Sequence, residues 1–357
     1  MKKICLPVLC CFITFFSFSQ QTFFNQPSQD RFNEAKEYFQ KEQYNLAYPI
    51  LKELRQSLTE SDKINRAVVA QEIEYYAIVS ALKQNETNAE LDAQVYADVT
   101  KNNPRAQMMR FHLAEYLFRK QRFSEAVPLY EGANIANLNN REVADMKFHQ
   151  GYSYFTLQQF AQAKPLLNSI RQIKSDPNYI DANYYYGFIA FRDKNYTEAL
   201  TSFKVVENEE QYAPIVPYYI AQILYVQGKK DEAVAYAEAK MKQGKTQYYD
   251  LELKQLLGHA YFEKKQYAKA LPYLEDYVTR SKKVRREDLY ELSYAYYQAN
   301  NFTKAIDGFK QLSGKDDSLS QHAMYLLADS YLKTGQKANA RNAFLFSASN
   351  NSNARQI

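Results

Sequence analysis

Residues 178–206 read NYIDANYYYGFIAFRDKNYTEALTSFKVV. Two runs, 182–191 and 196–206, repeat their apolar residues at three- and four-residue spacing on either side of the polar turn Arg192-Asp193-Lys194-Asn195. That spacing puts the apolar residues on one side of a helix, so the stretch predicts two antiparallel helices joined by a tight turn. Gly187 stands inside the first helix, where it costs about 1 kcal/mol relative to alanine. The expectation is a close backbone approach at that point. Ala199, twelve residues on, is the expected counterpart, with Ala190, Tyr196 and Phe203 filling the space around the crossing.

The same arrangement recurs along the chain. A small anchor residue is followed by an aromatic or aliphatic residue at +3, a large one at +9, alanine at +12 and a large one at +16. The anchors are Ala35, Ala77, Ala114, Gly151, Gly187, Ala221, Gly258, Ser293 and Ala328, with steps of 42, 37, 37, 36, 34, 37, 35 and 35 residues. The second copy is degenerate, with Glu86 at its large position, and Lys230 and Ala237 weaken the sixth. A period this regular means a stack of supersecondary units, because no single helical hairpin can bury both of its apolar faces.

The strings LAEYLFRKQRFSEAVPLY (113–130), YGFIAFRDKNYTEALTSF (186–203) and LGHAYFEKKQYAKALPYL (257–274) resemble the tetratricopeptide repeat, a helix–turn–helix unit of about 34 residues. The resemblance covers residues 28–352. The chain departs from the motif in lacking its early tryptophan and in losing or shifting its closing proline, as at Pro104, Pro177 and Pro214. It implies an all-α fold, an α-solenoid of about nine hairpins wound as a right-handed superhelix. In such arrays the first helix of each unit looks into a concave groove.

On these first helices, residues three before, one after and four after the anchor share a second stripe. It is strongly aromatic: Phe148, Tyr152 and Phe155, then Tyr184, Phe188 and Phe191, Tyr218 and Tyr225, Phe262, and Tyr290, Tyr294 and Tyr297. Rings at these positions either pack between neighbouring repeats or line a partner-binding groove for a helix or extended peptide. The lysine and asparagine that hold a peptide carboxylate in the chaperone-binding members are replaced by rings here, so that clamp is not carried over.

Composition narrows the function classes. The 357 residues include 32 tyrosines and 22 phenylalanines but no tryptophan, with only 9 glycines and 10 prolines. The formal charge of +5, two units of it from Lys2 and Lys3, is too mild for a nucleic-acid partner. Residues 1–19 read as a signal peptide: a positive start, an apolar run at 4–18 and Ser17-Phe18-Ser19 before the cleavage point. Residues 20–27 read as a polar linker. Cys5, Cys10 and Cys11 all lie in the leader, so the mature chain has no thiol for disulfides or metal. An uncleaved leader or association with other components is the expected route to a membrane.

Catalytic chemistry finds no constellation. His112, His149, His259 and His322 show no paired-ligand spacing, and there is no phosphate-cradling glycine loop or serine elbow. No catalytic residue, metal or cofactor is expected. The basic run at 280–286 reads as a solvated turn or a docking patch. Asp317-Ser318-Leu319 resembles a short acceptor for O-linked sugars in exported Bacteroidetes proteins, and residues 353–357 read as the start of a further helix. The expected function is an exported, periplasmic or outer-membrane-associated scaffold that binds a protein or peptide. A glycan-binding module, or the repeat portion of a longer enzyme or secretion or gliding component, is the alternative.

Overall fold

The computed structural model describes residues 26–61, 67–99, 103–244 and 247–349. The leader, its three cysteines, the linker up to residue 25 and the segment 350–357 lie outside the described residues. Eighteen α-helices occur among the described residues, and they pair as nine hairpins. These are α1 (Gln26–Gln40) with α2 (Tyr44–Ser57), α3 (Ala67–Gln84) with α4 (Ala89–Val99), and α5 (Pro104–Arg119) with α6 (Phe123–Glu131). Next come α7 (Asn140–Thr156) with α8 (Phe160–Ile170), α9 (Tyr179–Arg192) with α10 (Tyr196–Val206), and α11 (Val216–Val226) with α12 (Lys230–Lys242). The last three are α13 (Asp250–Glu263) with α14 (Tyr267–Arg280), α15 (Arg286–Gln298) with α16 (Phe302–Lys310), and α17 (Ser318–Lys333) with α18 (Lys337–Ser349). The fold is an all-α array of the solenoid class. Its first helix opens at Gln26, two residues ahead of the expected boundary, with Pro27 in the first turn, where no N–H donor is needed. No described helix is long and apolar enough to cross a membrane.

Every hairpin turns by the same device. The residue seven after the anchor (eight in the second copy) adopts positive φ: Glu42, Asn85, Gln121, Gln158, Lys194, Gly228, Lys265, Asn300 and Gly335. The next N–H then reaches back into the first helix, as in Gln43 to Tyr38 O (2.8 Å), Asn195 to Ala190 O (2.8 Å) and Gln266 to Tyr261 O (2.9 Å). This is the left-handed helix cap, which satisfies carbonyls left over at a helix end. Glycine fills it in only two of nine turns, so the other seven carry a strained L-residue. Lys265→Gly is therefore expected to raise unfolding free energy by about 0.5–1 kcal/mol, part of the relieved strain being offset by a freer unfolded chain. A urea midpoint that stays put or falls would contradict that assignment.

Packing follows the anchors. All nine anchors and all nine alanines at +12 are buried. The pairing expected at Gly187 needs correction, however. A Cβ on Gly187 would lie 3.1 Å from the Phe203 ring and 3.1 Å from Ser202 Cβ, rather than against Ala199. At Gly258 the corresponding neighbour is Leu274, at 2.6 Å. The small anchor thus makes room for the residues at +15 and +16, and the alanine at +12 is buried elsewhere on the crossing. The helices are offset by about one turn from the simplest face-to-face match.

The chain divides into two compact units, Met1–Ala163 and Lys164–Ile357. In the first, one core gathers Phe32, Leu51, Leu54, Ile73 and Ala77, and a second joins Tyr75, Leu82, Met109, Leu117 and Tyr130. In the second unit a core running from Ala221 to Ala343 holds Leu253, Leu257, Leu274, Phe309 and Leu327.

Candidate binding face

Within each unit, rings of the aromatic stripe touch from hairpin to hairpin. Of the twelve stripe residues Phe148 is buried and the other eleven are half-buried. In the second unit Tyr184 stacks on Tyr212 at 4.1 Å, and both Phe188 (6.0 Å) and Phe191 (5.1 Å) meet Tyr219 edge-on. Tyr218 lies 4.8 Å from Tyr249, and Tyr225 lies 5.8 Å from His259. Phe262 meets Tyr294 at 5.6 Å, and Tyr294 in turn contacts Tyr290 (5.9 Å) and Tyr297 (6.2 Å). Within the first unit Tyr152 touches Phe118 (5.8 Å) and Phe123 (5.6 Å), Phe148 lies 6.4 Å from Tyr152, and Phe155 lies 5.5 Å from Phe160. Edge-to-face geometry of this kind adds about 0.5–1.5 kcal/mol per pair beyond area burial. Apart from the buried Phe148, each ring therefore spends part of its surface on packing and keeps part of it open.

Hydroxyls at the ends of these rings are tied to carboxylates or to an imidazole. Tyr225 donates to Glu263, which also takes Lys230 at 2.7 Å, and Tyr297 donates to Asp329 at 2.6 Å. Tyr290 shares a hydrogen bond with His322 Nδ1 at 2.5 Å. Burial, joined by Glu263, pushes the Tyr225 hydroxyl up. The Asp329 hydrogen bond and burial hold Tyr297 at about 12. Fixed in this way, the rings are neutral and preordered.

What sequence reasoning missed is the partner of position −2 relative to the anchor. A residue at +1 on one first helix meets the residue at −2 on the next. Glu115 accepts from His149 Nδ1 (2.8 Å), Phe188 meets Tyr219, and His259 Nδ1 donates to Glu291 (2.6 Å). Two of those three pairs are the same Glu–His combination in opposite order. That complementarity was visible in the sequence once the register was known. The Glu291 contact raises the His259 pKa against the opposing effect of burial. Tyr130 also donates to Glu115 at 2.7 Å, and His149 stacks on Phe118 at 4.1 Å. Among the described residues no group of three or more His, Cys, Asp or Glu could hold a metal ion.

The basic run at 280–286 is largely neutralised within the fold. Arg280 pairs with Asp250 (3.0 Å) and Asp276 (2.9 Å), Arg285 with the buried Asp288 (2.7 Å), and Arg286 with Asp317 (2.5 Å). Asp317 also caps α17 by accepting from Ser320 N, and Ser318 beside it is exposed.

The sequence profile of the tetratricopeptide repeat matches residues 92–137, 255–312 and 290–350. No curated protein matches the chain. Among solved structures it is similar to the C-terminal part of a TPR repeat-containing protein from Cytophaga hutchinsonii, at 17% identity and TM-score 0.49, covering 69% of this chain and 98% of that one. It is also similar to a tetratricopeptide repeat protein from Parabacteroides merdae (14% identity, TM-score 0.38, 76% of this chain and 99% of that one). YrrB, a TPR protein with an unusual peptide-binding site, matches at 15% identity and TM-score 0.43, over 53% of this chain and 93% of that one. The chain carries tetratricopeptide repeats, at residues 92–137 and from 255 to 350.

Proposed function

We propose that the chain is an exported, non-enzymatic scaffold of the bacterial cell envelope that captures a helix or extended segment of a protein partner along its aromatic stripe. The observation behind this reading is the half-burial of eleven of the twelve rings. A ring wholly consumed by packing has nothing left for a partner. These rings are fixed from one side by their neighbours and keep apolar area on the other. Rigid aromatic surface loses little conformational entropy on binding, which is why tyrosine and phenylalanine serve so often as interface anchors. The leader-like segment at residues 1–19 supports the envelope setting.

A photo-crosslinking side chain placed in living cells at Phe188, Tyr225 and Tyr294 tests the reading. The expected result is one shared protein adduct from all three, and none from the exposed second-helix positions Thr201 and Lys269. Adducts equal at stripe and control positions, or none from the stripe, would overturn it. Cell fractionation with and without residues 1–19 checks the compartment separately.

A further inference from the structure

The turns of the last three hairpins form a basic edge on the second unit. Segments 263–269, 298–304 and 333–339 hold six lysines, Lys264, Lys265, Lys269, Lys304, Lys333 and Lys337, against one carboxylate, Glu263. The two preceding turns, 192–198 and 226–232, each balance two cations with two carboxylates. A formal charge of +5 for the whole chain conceals this local surplus. The turns lie side by side: Lys230 of the sixth reaches Glu263 of the seventh at 2.7 Å, and residues of the seventh and eighth share one cleft. Tyr297 and Asp329, hydrogen-bonded at 2.6 Å, carry the alignment on to the ninth.

Carboxylates on the adjoining helices do not cancel the surplus. Asp231 is paired with Lys264, Glu275 with Lys304 (2.5 Å), and Glu263 with Lys230. Asp307 on α16 is matched in count by Arg341 on α18. Lys265, Lys269, Lys333 and Lys337 remain, all exposed and without an ion pair among the described residues. Lys265 and Lys269 also line the shared cleft, of about 410 Å³, together with the amides of Gln266 and Gln298, the Tyr267 ring and two alanines. No carboxylate lines it.

We propose that this edge rests on an acidic phospholipid surface, with one phosphate headgroup seated between Lys265 and Lys269 and the other lysines lying over its neighbours. Four to eight cations gathered in one place are the usual basis of such attraction. All six are lysine, whose compact hydrated ammonium acts as a point charge toward a diffuse anionic surface, whereas arginine's planar fork suits capture of one carboxylate at a time. A nucleic-acid strand would need rings free to stack on bases. The rings at this edge are spent inward, Tyr267 on Phe262 (5.5 Å) and Tyr294 (5.3 Å), Phe302 on Tyr297 (5.7 Å). The edge goes beyond the stripe reading and stands without it, since no stripe residue lines the cleft.

The probe is a suspension of vesicles holding about one-third phosphatidylglycerol in phosphatidylcholine, with pure phosphatidylcholine vesicles as the control. The chain from Gln20 onward is used, so that the apolar run at 4–18 cannot insert by itself. Co-sedimentation is expected to be at least about tenfold stronger with the acidic vesicles, and to weaken as salt rises from about 50 mM to about 300 mM. Lys265→Gln with Lys269→Gln should keep the helical circular dichroism and weaken association with acidic vesicles about 25-fold, or about fivefold per lysine. Lys282→Gln with Lys283→Gln alters net charge equally at exposed positions near the other ends of the helices, and should cost less than about twofold. Equal losses from the two pairs, or equal binding to acidic and neutral vesicles, would overturn the proposal. So would soluble polyglutamate or single-stranded DNA held more tightly than charge-matched vesicles through the same two lysines, which would assign the edge to an acidic protein or a nucleic acid.

Discussion

Gly308→Ser is expected to lower the unfolding free energy by about 1–3 kcal/mol, the usual cost of overpacking a filled crossing. A Cβ at position 308 would fall on Ser293 Oγ and within 3.1 Å of Ser293 Cβ. Rotation of the Ser293 hydroxyl cannot relieve the carbon–carbon contact, and that hydroxyl is already committed to Leu289 O at 2.6 Å. The hairpin at 179–206 solves the same problem the other way round, with glycine at anchor 187 and serine at 202. The exchange Ser293→Gly with Gly308→Ser therefore reproduces an arrangement the chain already uses. It should recover to within about 1 kcal/mol of the parent, giving a coupling energy of about 1–2 kcal/mol in a double-mutant cycle. Additive losses from the two substitutions would mean that the helices do not cross at these residues.

The second large effect is acid sensitivity of the first unit. Burial, reinforced by the positive charges of Lys83, Arg105 and Arg119, depresses the His112 pKa to about 3. In the unfolded chain the same imidazole titrates near 6.5. Between those values the unfolded state binds a proton that the folded state refuses, so stability is complete above about pH 6.5 and falls as the pH drops. The slope approaches 1.36 kcal/mol per pH unit, or about 2 kcal/mol between pH 7 and pH 5. Glu115, whose pKa His149 and Tyr130 hold down against burial, adds its own loss only below the ordinary carboxylate range. Hydrogen exchange of α5 amides at pH 7 and pH 5 reads the effect locally. That avoids assuming that a repeat array unfolds in one step. His112→Gln should remove most of the slope while lowering stability at pH 7. A wild-type slope retained in that variant would mean another group is responsible.

Helix pairing was legible because it is written locally. Apolar spacing of three and four, a small residue every 34–37 positions from the second copy on, and alanine at +12 locate each hairpin without reference to the rest of the chain. The degenerate second copy still forms α3 and α4, since Ala77, Ala89 and Ala93 keep the crossing buried. Pro49, Pro128, Pro165 and Pro272 each stand at the sixth position of a second helix, where a local rule would end it. The helices continue because Leu51, Tyr130, Leu167 and Leu274, two residues beyond, are fully buried in the crossing. That burial outweighs one lost hydrogen bond close to the helix start.

The stripe of rings could likewise be enumerated from the sequence, but not its contacts. Whether a ring at +1 faces open space or the residue at −2 of the next hairpin depends on how two hairpins are rotated against each other. So does the fate of Arg286, which looks like part of a free basic patch in one dimension and is paired with Asp317, 31 positions on, in three.

By itself the sequence determined the repeat, its length, the nine hairpins and the small residues at their crossings, because α-helical geometry converts spacing directly into shared faces. Only the tertiary structure decided which large residue meets each glycine and which charges distant in sequence cancel one another. Those depend on offsets and rotations between helices, and the residues that meet there are separated by 15 to 38 positions along the chain.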